Sequence, residues 1–68
     1  MNIDSNTINN LLTPADVAKF LKISKVGVYR LTDKRLIRFY KIGGSLRFAK
    51  ADIIEYLKDN KVESIIKK

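Results

Sequence analysis

Residues 11–31 read LLTPADVAKFLKISKVGVYRL, and this stretch holds the start signals of two helices within 21 positions. Thr13 offers a side-chain oxygen for the free amides at a helix start, and Pro14 suits the first helical position. Asp16 favours the positive end of the helix dipole. Val17, Ala18 and Leu21 then fall on one face with Phe20 flanking them, and the small Ala18 lets a second helix approach closely. After KIS, Ser24 is a good cap for a helix from Lys25 to about Thr32. Val28 and Leu31, three apart, point inward. The opposite face carries Lys25, Val26, Gly27, Tyr29 and Arg30.

Two short helices joined by three or four residues, the second with a basic outer face, match a helix-turn-helix. Downstream, LIRFYKIGGSLRF (residues 36–48) shifts toward alternation and is rich in Ile, Phe and Tyr. Gly43-Gly44 divides it into two apolar runs, which predicts a hairpin with strands over about 37–42 and 45–48. On the second strand Leu46 and Phe48 face one way and Arg47 the other. On the first, Tyr40 and Ile42 oppose Phe39 and Lys41, and the pattern leaves open which set is buried. KADIIEYLKDN (50–60) returns to helical spacing, with Ile53, Ile54 and Leu57 inward, Asp52 in the first turn and Lys58 late. The fold expected is mainly α with a small β-hairpin: a winged helix-turn-helix of two short helices, a two-stranded wing and a C-terminal helix.

The ordered domain is expected over residues 11–60. The leader MNIDSNTINN (1–10) is polar and asparagine-rich, lacks the basic start and apolar run of a signal peptide, and reads as flexible. The tail KVESIIKK (61–68) reads as frayed helix or as a segment for self-association, given Val62, Ile65 and Ile66. Met1 and the short polar ends fit a complete protein. No run of about 18 apolar residues is present to span a membrane.

A chain of 68 residues has one modest core and little room for a concave, water-excluding catalytic pocket. It contains no histidine and no cysteine, which removes the commonest general base, the usual soft-metal ligands, thiol nucleophiles and disulfides. Seven carboxylates are present without the spacing of a calcium loop. The reading is therefore of a protein that is not an enzyme, with no catalytic residue, cofactor, metal or small-molecule ligand.

Charge is more informative. Fourteen Lys and Arg oppose seven Asp and Glu, a net of +7. Residues 22–47 hold Lys22, Lys25, Arg30, Lys34, Arg35, Arg38, Lys41 and Arg47 against Asp33 alone, so this segment carries a net +7 while the flanks cancel. Surfaces charged only for solubility usually mix both signs. One-signed concentration is the footprint of a polyanion-binding face, and double-stranded DNA is the partner it implies. On the second helix Lys25 and Arg30 can reach phosphates or the acceptor edge of guanine, and Tyr29 offers a ring and a hydroxyl. Ser24 can cap the helix and set its first amides near a phosphate. On the hairpin, Lys41 and Arg47 flank the tip as two prongs for a minor groove, and the glycines let the backbone come close. A protein acting on DNA is expected in the cytoplasm, with the nucleoid when bound.

LLTPADVAKFLKISKVGVYRL, YKIGGSLRF and ADIIEYL, in this order, resemble the excisionase-type small helix-turn-helix family, related to MerR-like winged domains. The resemblance covers about residues 11–58. It implies phage, plasmid or transposon excisionases, which act as recombination directionality factors, or small transcriptional regulators. In that family the second helix enters the major groove and the wing the adjacent minor groove. Carried over by position, it implies DNA contact by Ser24, Lys25, Val26, Tyr29 and Arg30, and by Lys41, Ser45 and Arg47, with Gly27 and Gly44 lying within the same surfaces. Relatives often have Thr where Gly27 stands and a cation where Ser45 stands. Implied partners are duplex DNA, an integrase or recombinase, and further copies of the chain bound cooperatively at repeated sites.

Two other classes compete. A protein-interaction adaptor needs an exposed apolar patch, hinted at only by Ile65-Ile66. An RNA binder needs stacking aromatics on a sheet, where only Phe39 or Tyr40 could serve.

Overall fold

The computed structural model describes residues 11–63. The leader 1–10 and the tail's 64–68, including Ile65 and Ile66, lie outside the described residues.

Chain order is β1 (Leu11–Leu12), α1 (Pro14–Leu21), α2 (Lys25–Asp33), β2 (Tyr40–Ile42), β3 (Ser45–Ala49) and α3 (Lys50–Asp59). The three helices and small antiparallel sheet form a winged helix-turn-helix, as the periodicity predicts. The sheet has three strands rather than two, in the order β1-β3-β2. Tyr40 pairs with Arg47, Lys41 with Leu46 and Ile42 with Ser45, while Leu11 and Leu12 pair with Ala49 and Phe48. β1 and β2 therefore use different halves of β3. Gly43 and Gly44 have φ of 54° and 85°, and positive φ at both central residues is what a two-residue type I′ turn requires.

Phe48 of β3 packs with Val17, Val28, Ile37 and Ile53 in one buried cluster drawn from every helix. Its neighbour Phe39 tilts against it, ring centroids 6.4 Å apart. Phe39 and Leu46 thus lie on the packed side of the hairpin, and Tyr40 and Ile42 are exposed. Thr32 is buried and polar, and its hydroxyl donates to the Tyr29 carbonyl at 2.8 Å. Two expectations are corrected on α3. Ile54 and Leu57 are 37% and 49% exposed, whereas Ile53 is buried and Tyr56 packs on the core. The core contacts only one narrow stripe of this helix, and Tyr56, three residues after Ile53, lies on it. α3 stops at Asn60, whose side-chain amide donates to the Tyr56 carbonyl, and residues 61–63 lie exposed beyond it.

α1 starts as its sequence dictates. The Asp16 amide donates to the Thr13 hydroxyl and the Thr13 amide donates to the Asp16 carboxylate, each at 3.1 Å, completing a capping box. The bonds from Thr13 hold the Asp16 carboxyl below its ordinary value, with smaller help from the charges of Lys19 and Arg47 against a small opposing effect of desolvation. A depressed carboxyl adds stability above its unfolded-state value and loses it as pH falls through the folded-state value. Thr13→Ala should lower unfolding free energy by about 1 kcal/mol in denaturant titrations. The wild-type contribution of the box should persist at neutral pH and fade only below about pH 4.

Candidate nucleic-acid interface

The turn between α1 and α2 is set by backbone bonds. The Ile23 amide donates to the Ala18 carbonyl at 3.0 Å and the Lys22 amide to that of Lys19 at 3.3 Å. This pair of bonds is a Schellman ending, with Lys22 in the left-handed conformation at φ 57°. Ser24 follows at once as the cap of α2, accepting from the Gly27 amide at 3.0 Å. The Val28 amide reaches the Ser24 carbonyl, so the Lys25 and Val26 amides at the exposed tip have no intrahelical partner.

Burial of Val28 and Thr32 fixes the rotation of α2. Lys25, Val26, Tyr29 and Arg30 are consequently turned outward, Val26 57% and Tyr29 41% exposed. Gly27 lies between them. A Cβ there would meet Ile23 Cδ1 at 3.4 Å and Ser24 Oγ at 3.5 Å, which is ordinary contact, so the fold does not require glycine.

The wing stands beside α2. Tyr29, Thr32 and Asp33 from α2 face Phe39, Lys41, Gly44 and Leu46 from the hairpin across an open groove of about 420 Å³, with Arg35 at the corner. The Arg35 guanidinium lies 5.4 Å from the centre of the Phe39 ring, a cation–π contact. Of the residues singled out in the sequence, Tyr29, Lys41 and Gly44 are thus brought to one groove. Ser45 is exposed at the wing's tip.

Arg47 is placed differently. Cross-strand pairing puts Lys41 on the Leu46 side of the hairpin and Arg47 with Tyr40 on the other. Arg47 is half-buried, and its Nη1 donates to the Leu46 carbonyl at 2.6 Å. The two cations straddle the wing and do not reach out side by side.

Among the described residues, the ion pairs within 4.0 Å are Arg38–Asp52 and Lys61–Glu63. Seven of the eight central cations therefore lack a carboxylate at that distance. On α3, Asp52, Glu55 and Asp59 line a hollow with Arg38 that shares no residue with the α2–wing groove, where Asp33 is the acid. Sequence reasoning passed over Lys22 and Arg35 as individual residues. Their signal was a helix end followed by no glycine, with a cation in its place.

A profile of the helix-turn-helix domain family, a family of excisionase-like small DNA-binding proteins, matches residues 11–61. The chain belongs to that family. It carries a DNA-binding helix-turn-helix domain, of a type that is typically non-enzymatic. No curated protein and no solved structure matches it. Among the described residues no helix is long and apolar enough to cross a membrane.

Gly27→Ala should raise unfolding free energy by about 0.5–1 kcal/mol, because the methyl has room and the unfolded chain loses freedom. Guanidinium titration of the two proteins checks this, and a destabilised variant would mean that the backbone at Gly27 is held by something other than α2.

Proposed function

We propose that the chain is a sequence-specific double-stranded DNA-binding protein of excisionase type, directing recombination of a mobile element. The observation that carries this reading is the outward face of α2, where Lys25 and Arg30 are exposed and, among the described residues, have no carboxylate within 4.0 Å, beside a groove that adds Arg35 and Lys41. In this reading α2 lies in a major groove. Ser24, Val26 and Gly27 bring its first turn to the DNA, Lys25 and Arg30 reach phosphates or the acceptor edge of guanine, and Tyr29 offers its ring and hydroxyl to the backbone. Lys41, Gly44, Ser45 and Arg47 bring the wing to the adjacent minor groove, Lys41 from inside the hairpin and Arg47 from its outer face. The DNA-binding domain in this reading is residues 11–60.

One such module makes few base contacts, so affinity at a single site is modest. Copies bound side by side on repeated sites would offset that, and an integrase or recombinase is the partner whose direction they would bias. A small transcriptional regulator would use the same contacts. An integrase gene next door favours the first reading, a divergent promoter the second. Either role places the protein in the cytoplasm, on the nucleoid.

The deciding experiment is selection of duplexes from a random pool by the purified chain, with a salt titration on the recovered site. A motif recurring as spaced direct repeats is the expected result. If about four to six central cations touch phosphates, log affinity should fall against log salt with a slope of roughly −4 to −5. Arg30→Ala should relax preference at one base position, costing about 1–3 kcal/mol at the selected site and much less on mixed-sequence DNA. Absence of any enriched motif, with binding that vanishes at moderate salt, would reduce the basic face to generic charge.

A further inference from the structure

Both helices of the helix-turn-helix end in the same way. At the end of α2 the Leu36 amide donates to the Leu31 carbonyl at 2.9 Å and the Arg35 amide to that of Thr32 at 3.1 Å. This repeats the Schellman bonds seen after α1, and Arg35, at φ 58°, occupies the left-handed position that Lys22 holds there. Glycine is the usual occupant of such a position because a Cβ crowds the following carbonyl. Lys22 and Arg35 are the two non-glycine residues with positive φ among those described. Both are cations, both are exposed, and among the described residues neither has a carboxylate within 4.0 Å. Lys22, at the end of α1, stands three residues before α2, and Arg35 stands two residues after it.

We propose that Lys22 and Arg35 are phosphate-binding residues that bracket α2, retained in a strained backbone conformation because their charges hold the two ends of that helix to the sugar–phosphate walls. The proposal rests on the DNA reading above and adds two contacts to it. The dimensions suit the role. Nine residues of helix span about 14 Å, against a major groove about 12 Å wide. A helix of that length is comparable to the groove's width, so long cationic side chains leaving from the segments that flank it have bordering phosphates within their reach. Arg35 is also held in place, since its stacking on Phe39 fixes the guanidinium at the corner where α2 meets the wing. A left-handed residue has its backbone locked by two hydrogen bonds, so each cation leaves from a defined point. Binding then orders less of the chain than it would for a cation on a free loop.

The competing explanation is that a cation at a helix C-terminus stabilises the helix through its dipole. The two differ in what glycine does. Lys22→Gly and Arg35→Gly remove backbone strain along with charge. On our proposal each variant melts no lower than wild type, yet binds duplex DNA about tenfold more weakly near ~0.1 M salt, with the salt slope shallower by about one. The loss is equal on the selected site and on a mixed-sequence duplex, because phosphates carry no sequence information. Lys22→Asn and Arg35→Asn, which also tolerate left-handed φ, give the same binding loss. Lys22→Arg and Arg35→Lys keep the slope. Unchanged affinity and slope in the glycine variants, or loss of melting temperature with binding intact, overturns the proposal while leaving DNA binding in place. Loss in the charge-preserving variants equal to that in the glycine variants overturns it too. Failure of the wild-type chain itself to bind either duplex instead removes the functional reading on which the proposal stands.

Discussion

Phe48 lies on the middle strand of the sheet, and the buried cluster it joins takes a residue from each of the three helices. Val17 of α1, Val28 of α2, Ile37 of the connecting segment and Ile53 of α3 close around it. A chain of 68 residues with no cysteine has no covalent staple, so this single cluster supplies the anchor that disulfides supply in other small domains. It also sets function-bearing geometry. β3 carries Phe48 into the core and continues through Arg47 and Leu46 to the turn, and Val28 of α2 belongs to the same buried cluster, so wing and helix are anchored on one core. Helix face and wing are two ends of one packing problem.

That arrangement separates charge. With α2 rotated so that Val28 and Thr32 are inside, its cations have to be outside, and the groove beside it sets Lys41 of the hairpin with Arg35 and Asp33. Three of the seven carboxylates, Asp52, Glu55 and Asp59, lie on α3 around Arg38. Like charges held within a Debye length of about 8–10 Å repel one another and destabilise the compact state, an effect a polyanion or added salt relieves. The fold tolerates this because its stability comes from the far side of α2, where no charge intrudes.

Much of this was legible in the chain. Thr13, Pro14, Asp16 and Ser24 are local signals with local consequences, and each does in the structure what its chemistry implies. Gly43-Gly44 likewise announces its turn. What was illegible is non-local. Leu11 and Leu12 become a strand only because β3 offers a free edge, and two leucines before a helix cap carry no trace of that. The burial of Tyr56 rather than Ile54 and Leu57 depends on how narrow a stripe of α3 the core touches, which no helical periodicity states. The choice of Phe39 over Tyr40 for the packed face follows from Phe48 being available to meet it. In the site, the residues of α2 follow from helix rotation and were readable. Arg47 was not, because whether a cation in an alternating strand is free or held by the Leu46 carbonyl depends on the strand beside it.

A sequence that folds well usually agrees with itself at every level, and places where it does not are informative. The start of α1 satisfies every local preference at once. Around α2 the agreement breaks three times. A glycine sits inside the helix where a methyl would fit, and a cation takes the left-handed position at each flanking helix end. No buried contact requires any of the three. All three border the exposed surface of one helix, where glycine lowers the profile and cations raise the charge. Each departure weakens the isolated domain and changes the shape or potential of the surface that would meet a polyanion. The departures from local preference therefore cluster around α2, at positions outside the buried core that the packing does not dictate.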